Sequence, residues 1–89
     1  MSESILRVVN PLGLHARPAA KVVECANRFS SEITLRFNDR EIDAKSIMSV
    51  LMLAAGKGSK LILSVSGEDE TAAREAMETL FNAGFGELE

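Results

Sequence analysis

The chain contains no tryptophan and no tyrosine, one cysteine, one histidine and two prolines. Each scarcity closes off a class of function. With four phenylalanines as the only aromatics, there is little on which nucleic-acid bases could stack. No Lys/Arg run is dense enough to form a nucleic-acid patch. Cys25 has no second cysteine to pair with, so an intramolecular disulfide is excluded, which fits a reducing cytosol. One His and one distant Cys do not make a metal-ligand set, and no metal or other cofactor is expected. The longest apolar run, Val50 to Ala55, is six residues, against roughly 18 needed to span a membrane. The start, MSESILRVVN, is charged early and too weakly apolar for a signal peptide. A soluble cytoplasmic protein is expected.

What remains is an ordinary globular composition, 46% hydrophobic and 26% charged over 89 residues. That length supports one domain, 1–89, with a single core and no deep cleft between lobes. A carrier, binding module or small regulator fits better than a multi-step enzyme. The formal net charge is −3, unevenly spread. Residues 1–60 hold nine basic and six acidic side chains, whereas residues 61–89 hold Arg74 and seven acidic ones. The first part can present a mildly basic face to an acidic partner.

Hydrophobic periodicity orders the chain as strand, helix, strand, strand, helix, strand, helix. Ile5 to Val9 reads as a strand, ended by Asn10-Pro11-Leu12-Gly13. Ala19, Val22, Val23 and Ala26 recur at helical spacing between Ala16 and Asn27, and Pro18 is tolerable there only in the first turn. Glu32 to Phe37 alternates strictly, Asn38-Asp39 turns, and Arg40 to Ala44 returns with Ile42 inward. Ser46 caps a helix expected from Ile47 to Ala55 and closed by Gly56. Lys60 to Ser66 is a strand. Asp69 is the expected N-cap of a last helix with stripe Ala73, Ala76, Met77, Leu80 and Phe81, stopped by Gly84. The expected fold is an α+β two-layer sandwich, one sheet face under the helices and the other wet.

Three places could carry chemistry. His15 stands where the turn meets the first helix. There the unpaired N–H groups of Ala16 and Arg17, the helix dipole and the Arg17 guanidinium are all suited to phosphate oxygens. An imidazole so placed can attack a phosphoryl group, and the product is held by those same positive groups. The alternative is a surface His beside a solvated Arg17. The second place is the helix after Ser46. Val50, Leu53 and Ala54 share one face with Ile47 at its edge, and Met48, Leu51, Met52 and Ala55 on the other side give it more apolar surface than one core-facing side needs. That surplus suits a docking patch for more than one partner; the alternative packs it under neighbouring loops. The third is Ser46 itself, an N-cap at which a phosphate would obstruct such docking. Gly56-Lys57-Gly58-Ser59-Lys60 lacks the spacing of a phosphate loop and reads as a turn. Glu68-Asp69-Glu70 reads as a helix start, and mid-helix Cys25 as a small buried thiol.

The segment Gly13-Leu14-His15-Ala16-Arg17-Pro18-Ala19-Ala20 resembles the HPr family of histidine phosphocarriers of the bacterial phosphotransferase system. Lys45-Ser46-Ile47-Met48, Ala54-Ala55-Gly56-Lys57-Gly58 and Gly67-Glu68-Asp69-Glu70 match in register, so the resemblance covers essentially the whole chain. It implies an open-faced sandwich of four antiparallel strands under three helices. It implies a non-enzymatic carrier in which His15 takes a phosphoryl group on Nδ1 from phospho-enzyme I and passes it to an enzyme IIA protein. Arg17 steadies the phosphate, and Ala20, Ile47, Met48, Leu51 and Met52 dock the partners. In some members a serine matching Ser46 is phosphorylated by an HPr kinase. Leu80-Phe81-Asn82-Ala83-Gly84-Phe85 and Leu51-Met52-Leu53-Ala54-Ala55 look like the nitrogen-related branch, NPr. Glu24, Asn27 and Ser49 stand where sugar-system members often carry lysines. A monomer that binds neither membrane nor nucleic acid is expected. The rivals are a sugar-type carrier, a regulator acting through Ser46, an RNA-binding domain using the open sheet, and a ligand-binding domain that dimerises through it.

Overall fold

The computed structural model describes residues 1–86. Strict alternation builds its sheet. In β4 (Lys60–Ser66), Leu61, Leu63 and Val65 are fully buried, and in β2 (Glu32–Phe37) so are Ile33 and Leu35. Charged and hydroxyl side chains occupy most of the intervening positions, so one face is dry and the other wet. β3 (Arg40–Asp43) pairs with β2 across the Asn38–Asp39 turn. Both turn residues take positive φ, 51° and 64°, which matches the twist of a two-residue hairpin. β1 (Ser2–Arg7) pairs with the other edge of β4, placing Leu6 opposite Leu61. The order is β1-β4-β2-β3, with every pairing antiparallel.

Three helices cover the dry face. α1 (Ala16–Ala26) buries Ala19, Val22, Cys25 and Ala26; α2 (Ile47–Met52) buries Val50; α3 (Glu70–Asn82) buries Ala73, Met77 and Phe81. A 3-10 turn at Gly84–Gly86 folds Phe85 back onto Phe81, edge to face at 4.8 Å. Lys21 Nζ fastens this turn to α1 by donating to the Phe85 carbonyl at 2.5 Å. Among the described residues, no helix is long and apolar enough to cross a membrane.

Beyond one-residue shortening at the ends of α1 and β3, the bounds of β1, the end of α2 and the role of Asp69 differ from the sequence expectation. β1 begins at Ser2 and ends at Arg7, before Val8 and Val9. Ser2, Glu3 and Ser4 are poor strand formers, but β4 offers them a ladder, and pairing overrides propensity. Val8 is buried but already turning, its N–H on the Ser59 carbonyl and its own carbonyl accepting from Gly58. α2 stops at Met52, not Ala55. Ala54 takes φ 52°, and the Ala55 carbonyl accepts from Leu14 N–H at 2.9 Å rather than continuing the helix. The Arg40 guanidinium donates to the Met52 carbonyl at 2.8 Å, satisfying an end group that Gly56 was expected to close off. Asp69 sits at the N-cap of α3 but does not cap it. Its carboxylate instead accepts from Ser30 N–H, Ser31 N–H and the Ser31 hydroxyl, tying the loop after α1 to the loop after β4. The Ser31 hydroxyl first, then the Ser30 N–H, hold the Asp69 carboxyl down at about 2. Glu70 reaches back to accept from Gly67 N–H at 3.2 Å.

Candidate functional site

His15 is the N-cap of α1, in extended backbone conformation and half-buried. The first backbone bond of the helix runs from Ala19 N–H to the His15 carbonyl at 3.0 Å. Ala16 and Arg17 precede that bond, and Pro18 has no N–H at all. The donors at the head of the helix are therefore those of Ala16 and Arg17, both exposed. No acidic side chain sits in the first turn of α1 to compete for them. An anion at the head of α1 would meet two N–H groups, the helix dipole and the exposed Arg17 side chain.

The turn carrying His15 is held by main-chain contacts. Gly13 adopts φ +70°, and a Cβ there would stand 2.6 Å from the Ala55 carbonyl oxygen and 2.8 Å from Gly56 Cα. Only glycine fits both the conformation and the space. Leu14 N–H donates to the Ala55 carbonyl, and His15 N–H to the Gly13 carbonyl, each at 2.9 Å. Asn10, a turn residue by its sequence, has a fully buried side chain. Its Nδ2 donates to the Gly13 carbonyl at 2.8 Å, and its own carbonyl accepts from Gly13 N–H at 3.2 Å. The signal available in sequence was an Asn three residues before a turn Gly, which marks the turn but not the burial.

The expected docking residues gather beside this turn on the α1–α2 side. Met48 is 65% exposed, Met52 61% and Ile47 38%, and Ala20 is exposed on α1. Leu51 departs from the group: it is half-buried against the core. Leu12, in the turn before His15, is 74% exposed and adds an apolar side chain that the sequence pattern did not single out. Ser46 is half-buried as N-cap of α2, its Oγ accepting from Ser49 N–H at 3.4 Å. Two hydrogen bonds join α1 to the start of α2: Asn27 Nδ2 to the Lys45 carbonyl at 3.3 Å, and Lys45 Nζ to the Phe29 carbonyl at 2.8 Å.

Cys25 lies at the opposite end of α1, roughly 15 Å from His15 at about 1.5 Å per residue. It floors a groove between α1 and α3 lined by Arg28, Glu75, Ala76, Thr79 and Leu80. Burial pushes its thiol up, away from the reactive thiolate. Among the described residues, no group of three His, Cys, Asp or Glu side chains could hold a metal ion. The groups at the head of α1 are the His15 imidazole, the Ala16 and Arg17 N–H groups and the exposed Arg17 side chain.

Comparison with known proteins shows the family. Residues 2–83 match the family described as PTS HPr component phosphorylation site. The chain is similar to the phosphocarrier protein HPr of Treponema pallidum, 51% identical over 82 residues, spanning 92% of this chain and 93% of that one. It is 46% identical over 87 residues to the phosphocarrier protein HPr of Xylella fastidiosa, spanning 98% of each. Its fold is similar to the crystal structure of HPr-C-His from Thermoanaerobacter tengcongensis, with TM-score 0.96, 39% identity and 100% of both chains covered. Since the likeness runs the length of the chain and includes the segment around its single histidine, the chain belongs to the HPr phosphocarrier family of the phosphotransferase system, whose members carry phosphoryl groups and are not catalytic enzymes.

Proposed function

We propose that His15 accepts a phosphoryl group from phospho-enzyme I and passes it to an enzyme IIA protein. The observation that carries this reading is the place of His15 at the head of α1, beside the N–H groups of Ala16 and Arg17. The lone pair of Nδ1 attacks phosphorus, and a new N–P bond forms as the donor's N–P bond breaks. The electron pair of that broken bond stays on the donor nitrogen. The phosphoryl oxygens then face the two N–H groups, with the Arg17 guanidinium free to swing onto them. Donor and acceptor are both phosphohistidines, so transfer is near-thermoneutral and reversible. Ala20, Ile47, Met48 and Met52 supply an apolar surface that docks each partner in turn, with Leu51 supporting it from beneath. The carrier acts as a cytoplasmic monomer.

The nitrogen-related branch is the finer reading. Glu24 and Asn27 are exposed on α1 and Ser49 is half-buried on α2, so the α1–α2 face lacks lysines at those three positions. The Phe81–Phe85 contact gives the tail segment that resembles this branch a packing role. A sugar-type carrier is the alternative. A second, regulatory reading rests on Ser46. A kinase adding phosphate to its weakly held hydroxyl would place about −2 charges beside Ile47 and Met48 and block docking.

The test is intact-mass spectrometry after incubation with phosphoenolpyruvate and a nitrogen-type enzyme I. One acid-labile phosphoryl adduct is expected, absent from His15→Ala. An adduct on His15→Ala refutes the assignment. An adduct formed only with a sugar-type enzyme I refutes the branch.

A further inference from the structure

Arg7, Arg36 and Lys60 are distant in sequence, and the sheet brings them to one place. β1 sets Arg7 opposite Lys60, and β2 sets Arg36 opposite Ile62 of β4. All three alternate with buried neighbours and so face away from the helices. They lie at the end of the sheet where β1 runs on towards His15. Like charges directly opposite in a ladder destabilise it, yet Arg7 and Lys60 are register partners. Among the described residues, none of the three cations is in an ion pair. The far end of the same face is acidic, with Glu3 and Glu32 lining one hollow, while Glu41 stands opposite Arg36. Apart from Glu41, charge on the open face is sorted along the strands, Arg7, Lys60 and Arg36 at one end and Glu3 and Glu32 at the other, which solubility alone does not require.

The basic end is continuous with the methionine patch. One hollow is lined by Arg36, Phe37, Asn38, Asp39, Lys60 and Ile62. The next shares Phe37 and Asn38 with it and adds Arg40, Met52 and Ala54. Arg40 closes the join through its bond to the Met52 carbonyl. Asp39 and Glu41 are the anions of this region, outnumbered by Arg7, Arg36, Arg40 and Lys60. On the other flank of the patch, Lys21 and Lys45 are committed to the Phe85 and Phe29 carbonyls. Arg40 is held likewise on Met52, whereas Arg7, Arg36 and Lys60 on the sheet side and Arg17 beside His15 extend their charge outward.

We infer that the docking surface continues from Met52 round the β2–β3 turn onto this strip, and that the phosphoryl donor lays an acidic face of its own on Arg36, Lys60 and Arg7. The inference rests on the carrier reading. A chain of net charge −3 repels an acidic donor at a distance. A basic strip near His15 orients it, and this acts on the rate of encounter rather than on the chemical step.

The experiment measures phosphoryl transfer from phosphoenolpyruvate through the enzyme I of the same genome, at limiting and at saturating chain, over rising salt. Arg36→Glu with Lys60→Glu should lower the limiting rate about tenfold or more at low salt and flatten its salt dependence. The saturated rate should match the unaltered chain when read below both melting transitions, since Arg36→Glu faces Glu41 in the ladder and lowers the melting temperature by itself. The milder Arg36→Gln with Lys60→Gln should fall between the two, and Glu3→Gln, at the acidic end, should stay within about twofold. A limiting rate within twofold of the unaltered chain, with the same salt slope, overturns the inference and leaves the carrier reading standing. Binding of a labelled oligouridine lost in the double variant, with transfer unchanged, assigns the strip to nucleic acid and also overturns it. No transfer to the unaltered chain itself overturns both.

Discussion

Three glycines near the site separate backbone strain from crowding. Gly13 has φ +70° and would place a Cβ 2.6 Å from the Ala55 carbonyl oxygen; Gly58 has φ +89° but nothing within 4 Å; Gly56 has open space and no left-handed backbone. Alanine at Gly56 should change stability by less than about 0.5 kcal/mol. At Gly58 it should cost about 1 kcal/mol, the penalty for a left-handed residue with a Cβ. At Gly13 the same penalty applies, and the crowded atom is main chain that cannot rotate aside. The contact must open, and with it the Leu14 to Ala55 hydrogen bond, adding about 1–3 kcal/mol. The total for Gly13→Ala is about 2–4 kcal/mol. In a domain this small each kcal/mol lowers the melting temperature by about 4–8 °C. Calorimetry should therefore rank the variants Gly56→Ala, Gly58→Ala, Gly13→Ala, the last melting about 10–30 °C low. Because the shift occurs two residues from His15, phosphoryl transfer at a temperature where all three are folded should fall tenfold or more only in Gly13→Ala, on the order expected for a misplaced reacting group. A Gly13→Ala chain no less stable and no slower than Gly58→Ala refutes the reasoning.

Phe81→Ala removes a fully buried ring and its edge contact with Phe85, and should cost about 3–5 kcal/mol in urea unfolding; a loss under about 1 kcal/mol would show that the 3-10 turn collapses to refill the space. Met48→Asp alters a side chain that is 65% exposed, so its melting temperature should hold while its transfer rate falls, and unfolding would show Met48 to be structural. The Asp69 carboxyl lies at about 2 in the folded chain, against about 3.9 for a free Asp. It therefore stabilises the fold fully above about pH 4 and loses that contribution as pH falls through about 2. Asp69→Asn should flatten the decline of the urea midpoint over that window, and an unchanged slope would locate the acid sensitivity elsewhere.

The element order and the buried face of each strand were legible because alternation in Glu32–Phe37 and Lys60–Ser66 leaves little choice of face. The place of His15 was legible for a similar reason: Gly13 and Pro18 punctuate the chain on both sides of it. What escaped was set by partners distant in sequence. α2 ends at Met52 because Leu14 claims the Ala55 carbonyl and Arg40 the Met52 carbonyl, and neither is visible from the apolar run itself. Asp69 carries every local mark of a cap, but Ser30 and Ser31 offer three donors where α3 offers fewer. Asn10 was hidden because burial of a turn residue depends on what closes over the turn. The basic strip was invisible since Arg7, Arg36 and Lys60 meet only through strand register.

The pinning of the His15 turn by main-chain atoms has an evolutionary consequence. Leu14 N–H grips the Ala55 carbonyl, and Gly13 lies against the backbone of Ala55 and Gly56. None of these contacts involves the side chains that α2 displays. Substitution at Ile47, Met48 or Met52 can therefore change the surface that α2 displays without moving the His15 imidazole. Duplicated copies of such a chain are free to diverge in wiring while sharing one unaltered reaction, so that parallel relays in a single cell can be insulated by a few exposed positions.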